Sequence, residues 1–274
     1  MMVESLDGKV ALITGGGSGI GRASACAMAR AGIRAVAVLD IDSESSQETM
    51  RLVVDGGAQA LPITCDVGDP EALADAFAAV EREYGGIDLV LNNAGLVGGP
   101  PTWPDTPLAR AETMIRVNLG GVVYGTQLGV AAMRRRGGGA IVNTASIGGF
   151  IPSPDDAVYV ATKAGVIMLS RSCRRLHREG IRVNAVCPGV VDTPMLHETG
   201  EEGPAAWLGA GLARLRLLTA DQVAEAILHI MTDNEYAGQV VTVDNPESED
   251  DQRPILSVHS FTDVQPTLFG GSAR

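Results

Sequence analysis

Short β-branched runs alternate with longer helical patterns from one end of this 274-residue chain to the other. That alternation is the signature of βαβ units and a parallel sheet, and it leaves few other ways to fold. Strands are expected at 10–14, 35–40, 60–65, 87–92, 140–144, 182–187 and 239–243, and helices at 19–31, 43–54, 70–84, 108–136, 157–179 and 219–232. Most of the strand runs are apolar throughout, as strands are when helices cover both faces of a sheet. The expected architecture is therefore α/β: one Rossmann-type domain over 1–245, with a seven-stranded, parallel, doubly wound sheet and helices on both faces. Two segments break the rhythm. Residues 190–216 form a long connection and a candidate substrate lid, and residues 246–274 form an extension whose role the pattern leaves open.

Directly after the first strand run stands Thr14-Gly15-Gly16-Gly17-Ser18-Gly19-Ile20-Gly21, followed by a helical pattern. Glycines let backbone approach a pyrophosphate closely, and a helix N-terminus offers free amides and the positive end of a dipole. A tight turn without a ligand is the other reading. The second strand run ends on Asp40, close to the offset of an acid that accepts both hydroxyls of an adenosine ribose. Such a carboxylate repels a 2′-phosphate, and neither Ser18 nor Ile41-Asp42 supplies a cation, so charge favours NAD over NADP.

Tyr159 and Lys163 stand four apart in a helical pattern and so share a face. A phenol is a weak base at neutral pH, but a neighbouring ammonium stabilises the phenolate. Alone, such a pair is also common surface decoration. The fifth strand run delivers Ser146 just beyond its C-terminal end, the edge where open α/β sheets bind ligands. The fourth ends in Asn92-Asn93-Ala94-Gly95 at the same edge. Asn118 sits inside a helical pattern, either as part of a site or as a buried amide satisfied by its neighbours.

Together these motifs resemble the short-chain dehydrogenase/reductase family: the T-G-x-x-x-G-x-G of residues 14–21, the N-N-A-G of 92–95 and the Y-x-x-x-K of 159–163, within a match over roughly 7–244. The segments Asn118-Leu119, Val158-Tyr159 and 184–189 are also similar to the 15-hydroxyprostaglandin dehydrogenase-like branch. The resemblance implies that Tyr159 is the catalytic acid/base, that Ser146 positions the substrate oxygen, that Lys163 lowers the tyrosine pKa and holds the nicotinamide ribose, and that Asn118 supports a proton-relay water. It implies cofactor contacts from Gly15, Gly17, Ser18, Gly19, Ile20 and Gly21, from Asp40 and Ile41, and from Asp66 and Val67 at the adenine. Asn92, Ala94 and Gly95, then Pro188, Gly189, Val191 and Thr193 on the nicotinamide side, complete the set. One departure stands out: Val243-Asp244-Asn245-Pro246 replaces the family's usual aspartate followed by two glycines.

The implied activity is hydride transfer between a secondary alcohol and NAD, giving the ketone. An apolar lining from Met195, Leu196, Trp207, Leu208 and Leu212, with further walls from 97–103 and 147–151, predicts a hydrophobic substrate; packing of the lid onto the domain explains the same residues. The alternatives are an NADPH-dependent carbonyl reductase of the same fold and, remotely, a non-catalytic dinucleotide-sensing regulator.

Composition narrows the partners. Twenty-one Lys and Arg against 33 Asp and Glu leave a net charge of −12, which repels phosphate backbones and anionic membrane surfaces, so nucleic acid and membrane are not expected. No apolar run has the roughly 20 residues of a membrane span, and the first residues carry no basic region followed by an apolar one, so a cytoplasmic protein is expected. Cys26, Cys65, Cys173 and Cys187 form no C-x-x-C pair, which suggests free thiols and no metal site. Helices 108–136 and 157–179 resemble those through which family members assemble, implying a homo-oligomer, a dimer or tetramer.

Overall fold

The structure, a computed structural model, describes residues 4–205, 216–245 and 255–259. Seven strands run parallel as expected: β1 (Val10–Thr14), β2 (Ala35–Asp40), β3 (Gln59–Thr64), β4 (Leu89–Asn92), β5 (Gly139–Thr144), β6 (Ile181–Pro188) and, after two short strands, β9 (Val240–Asp244). The expected sheet of seven is extended by one. β10 (Ile255–Val258), from the segment whose role the sequence left open, pairs antiparallel with the outer edge of β9. The order is β10-β9-β6-β5-β4-β1-β2-β3, a mostly parallel doubly wound sheet. A four-residue run among polar neighbours carries too little periodicity to announce an edge strand.

Helices α1 (Gly19–Arg30), α2 (Ser43–Asp55), α3 (Pro70–Tyr84), α4 (Leu108–Ile115), α5 (Val122–Arg136), α6 (Ala157–Ser172), the short α7 (Pro194–His197) and α8 (Ala220–Thr232) supply the crossovers and the segment beyond β6. Local chemistry sets their starts. Asp42 and Asp69 each accept first-turn backbone N–H groups, with Pro70 following Asp69 at the first helical position. Thr219 and Gln222 form a reciprocal capping box before α8. Leu12, Ile13, Leu39, Leu91 and Ile141 are fully buried between the two helical layers, which explains strands with no polar face.

Two expected long helices are interrupted. The run 108–136 is broken by a π-helical turn at Arg116–Gly121, and 157–179 tightens after Ser172 into a 3-10 segment that Gly180 ends in the left-handed conformation. The connection that begins at residue 190 is tied at its base: β7 (Val191–Asp192) pairs parallel with β8 (Leu218–Thr219).

Strand order reverses at β1, which lies between β4 and β2, and a crevice opens there at the C-terminal edge. At the opposite edge Asp88 holds the same strands together. Its buried carboxylate accepts Val10 N–H at 2.9 Å and pairs with Arg136, at 3.1 Å, at the end of α5. Asp88→Ala strands both partners and should lower unfolding stability by about 2–4 kcal/mol in urea titration. Asp88→Asn, which keeps an acceptor for Val10, should cost about half as much.

Candidate active site

The glycine turn is shaped by contact as well as by dihedral angle. Gly15 adopts φ +61° with its α-carbon against Ala94, and a Cβ there would lie 2.8 Å from Ala94 Cα. At Gly21 a Cβ would collide with the Gly15 carbonyl, so the first turn of α1 closes onto the turn only with glycine. Ser18 precedes α1 in extended conformation and makes no side-chain bond to the first-turn amides, which stay available to an anion. Arg22 braces the turn from behind, donating to Gly17 O and to Thr49 Oγ1.

Asp40 ends β2 against this turn. Its Oδ2 accepts Gly17 N–H at 2.8 Å and its Oδ1 accepts Asp42 N–H at 3.1 Å, while Asp42 caps α2. Across the crevice, Asp66 accepts Gly68 N–H and pairs with Arg116, both at 2.8 Å, and the guanidinium holds its carboxyl below the usual range against the opposing effect of burial.

A single cavity of about 810 Å³ runs from Asp40 and Ile41, past Asp66 and Val67, along Gly15, Ser18, Gly19 and Ile20, to Ser146, Tyr159 and Lys163. Ala94, Gly95, Pro188, Gly189, Val191 and Thr193 also line it. Four expected site residues stand behind its wall. Gly17 and Gly21 shape the turn. Asn92 is turned into the sheet, where its amide donates to Asn143 and Thr126, and its neighbour Asn93 takes the wall position. Asn118, fully buried in the π-helical turn, clasps the backbone of Leu96: its Oδ1 accepts Leu96 N–H at 2.7 Å and its Nδ2 donates to Leu96 O at 2.8 Å.

At the far end Lys163, 3% exposed, donates from Nζ to Thr144 O at 2.9 Å and lies 5.6 Å from the centre of the Tyr159 ring. Burial sets the protonation of both. It pushes Lys163 down to about 8 and Tyr159 up to about 12, the Ser146 hydroxyl drawing the phenol part of the way back. Asp156 caps α6, accepting the N–H of Tyr159 at 3.4 Å and that of Gly98 at 3.1 Å, so it ties the tyrosine to the loop opposite.

The cavity beyond Tyr159 is walled by Leu96, Val97, Ile147, Ile151, Pro152, Met195 and Leu196, with Asp155 and Glu198 at its border. Trp207, Leu208 and Leu212 lie outside the described residues. His197 faces Asp192 at 3.6 Å on an exposed surface rather than the cavity. The four cysteines are free, and among the described residues no cluster of metal-ligating side chains exists. No described helix is long and apolar enough to cross a membrane.

Arg116, Asp156 and Asn245 escaped the sequence reading. Asn245 alone left a signal there, as the departure after β9. Its side-chain amide accepts Val190 N–H at 2.9 Å and donates to Val190 O at 2.8 Å.

A family described as short chain dehydrogenase matches residues 9–203. The cyclohexanol dehydrogenase of Acinetobacter sp. (strain SE19) is 34% identical over 235 residues, 85% of this chain and 92% of that protein. The 15-hydroxyprostaglandin dehydrogenase [NAD(+)] of Bos taurus is 36% identical over 205 residues, 72% of this chain and 73% of that protein. A crystal structure of a short-chain type dehydrogenase/reductase from Mycobacterium marinum superposes with a TM-score of 0.81 at 30% identity, covering 89% of this chain and 97% of that one. With the glycine turn, the crevice and the Ser-Tyr-Lys cluster joined in one cavity, and with matches over most of its length, this chain belongs to the short-chain dehydrogenase family and is an oxidoreductase.

Proposed function

We propose that the protein oxidises a hydrophobic secondary alcohol to its ketone, reversibly, with NAD as the cofactor. The observation that carries this reading is the sharing of one cavity by Asp40 at one end and by Ser146, Tyr159 and Lys163 at the other. The name of the Bos taurus relative includes NAD(+), and those of both curated relatives denote alcohol dehydrogenases, which supports the same direction.

The residues present fit a dinucleotide. The uncapped amides of α1 and the glycine contacts with Ala94 make room for a pyrophosphate, Asp40 offers an acceptor to ribose hydroxyls, and the volume lies within the few-hundred to 1,000 Å³ range of ligand sites. Gly15, Ser18, Gly19 and Ile20 would hold the dinucleotide's phosphates, Ile41, Asp66 and Val67 its adenine, and Gly95, Pro188, Gly189, Val191 and Thr193 its nicotinamide. When bound, the nicotinamide ring supplies the hydride acceptor.

Ser146 holds the substrate oxygen beside Tyr159, and the tyrosine takes the hydroxyl proton as the alcohol carbon becomes a carbonyl. Burial disfavours a lone phenolate and a lone ammonium alike; with Lys163 Nζ 5.6 Å from the centre of the Tyr159 ring, the ammonium offsets that cost for the basic form of the tyrosine. The phenol must lose its proton before it can act as a base, so oxidation gains and carbonyl reduction loses as pH rises. Asn118 is a positioning residue here: by clasping Leu96 it fixes the wall facing the substrate. The reading of this site as a regulatory sensor leaves the Ser146, Tyr159 and Lys163 cluster without a purpose.

Tyr159→Phe should lower kcat by at least about 10²-fold in an NAD-coupled absorbance assay across a panel of cyclic alcohols, steroids and hydroxy-lipids; normal turnover would sink the assignment. Initial rates should favour NAD over NADP. Asp40→Ala should narrow that preference, and an unchanged ratio would remove Asp40 from the role.

Lys163→Met should abolish turnover yet stabilise the fold by about 1–2 kcal/mol at pH 7, the relief of a buried cation less its bond to Thr144. The unfolded lysine titrates at 10.5 and the folded one near 8. Between those values the unfolded chain binds more protons, so the wild-type penalty fades as pH climbs from about 8 to 10.5; the two stabilities converge and then cross, leaving wild type ahead by its bond to Thr144. Urea titrations at pH 7 and 10 measure the convergence.

A further inference from the structure

The parallel pairing of β6 with β9 ends at Pro188 opposite Val243, with one further bond from Gly189 N–H to Val243 O at 2.9 Å. The backbone then parts from the sheet to form the 188–193 wall. At that point the Asn245 side chain takes over. Its amide bonds both the N–H and the carbonyl of Val190, as a neighbouring strand would, and a second N–H of the same group donates to Arg216 O at 2.9 Å. The two ends of the 190–216 connection are thereby joined through one side chain. The clasp is fitted closely, since a Cβ on Gly189 would collide with Asn245 Oδ1.

We propose that Asn245 is a positioning residue for the reaction, holding the 188–193 wall in register with the glycine turn. The path is short. Val190 leads through Val191 to Thr193, whose side chain lies 3.2 Å from where a Cβ on Gly19 would stand, and all four residues line the cavity. A shift at Val190 therefore changes the width of the cavity where the turn and this wall face each other. The inference rests on reading 188–193 as the nicotinamide-side wall.

The test compares wild type with Asn245→Ala and Asn245→Asp. Hydrogen exchange of the full chain, without cofactor, is read at residues 188–193 alongside NAD binding by calorimetry and steady-state kinetics. Asn245→Ala is expected to speed exchange at 188–193, to leave the glycine turn unchanged, and to weaken NAD binding and raise its KM by roughly tenfold with kcat within about threefold, the scale of one or two lost hydrogen bonds. Asn245→Asp keeps the acceptor for Val190 N–H but sets a carboxylate against two carbonyls, so it is expected to fail as rescue. Wild-type behaviour of Asn245→Asp, or uniform acceleration of exchange across the sheet, overturns the proposal. Because exchange is read on the chain alone, faster exchange at 188–193 with no NAD binding by any of the three proteins refutes the cofactor assignment and leaves the clasp standing. Unchanged exchange with normal NAD binding refutes the clasp.

Discussion

One hydroxyl group joins the two strands on which the site depends. Thr14 Oγ1, at the end of β1, accepts the N–H groups of both Asn93 and Ala94 just past the end of β4, at 2.9 and 3.1 Å. Strand order reverses at this junction, and a doubly wound sheet must open a crevice where crossovers leave in opposite directions. The link extends the β1–β4 ladder past its last paired residues, to where the glycine turn after β1 and the Ala94–Gly95 wall after β4 leave the sheet. With it, Ala94 packs against Gly15, Asn93 donates from Nδ2 to Gly15 O at 3.2 Å, and the crevice has a fixed floor. The turn, the wall and the cavity between them are consequences of that junction.

The parts of this arrangement legible in the sequence are those with a repeating or contiguous signature. Strands buried on both faces read as unbroken apolar runs, so β1, β2 and β5 were placed to within a residue. The glycine turn, Tyr159 and Lys163 are local patterns whose spacing alone sets their geometry. What escaped depends on partners distant in sequence. Arg116 meets Asp66 across 50 residues, and Asn245 meets Val190 across 55. The π-helical turn escaped for another reason: residues 108–136 keep a helical composition, and an extra residue in one turn changes hydrogen bonding without changing composition. That turn is what carries Arg116 to the cavity lining and Asn118 to the backbone of Leu96 behind the wall.

β10 was hidden by brevity and by its setting. Its consequence reaches the site all the same. By pairing with β9 it carries His259 to the surface above Thr242, where the imidazole lies 3.1 Å from the threonine hydroxyl and its ring centre 5.0 Å from that of Phe150. Phe150 follows directly on the turn that begins at Ser146. The segment beyond β9 thus braces the outer side of the serine loop, while Gly149 lies against Ile167 of α6 on the inner side.

The net charge of −12 acquires a local meaning at the end of the cavity lined by Asp40 and Asp66, where two carboxylates are treated differently. Asp66 is paired with Arg116, so its charge is largely balanced where it lines the cavity. Among the described residues Asp40 is hydrogen-bonded by the backbone N–H groups of Gly17 and Asp42, which orient it without neutralising it. The nearby guanidinium of Arg22 is spent on Gly17 O, Thr49 and Glu48 behind the turn. A phosphate brought beside Asp40 would meet an uncompensated negative charge, whereas ribose hydroxyls would meet an acceptor already held in place. The charge carried at Asp40 therefore depends less on the presence of an acid after β2 than on where the turn sends the nearby guanidinium of Arg22.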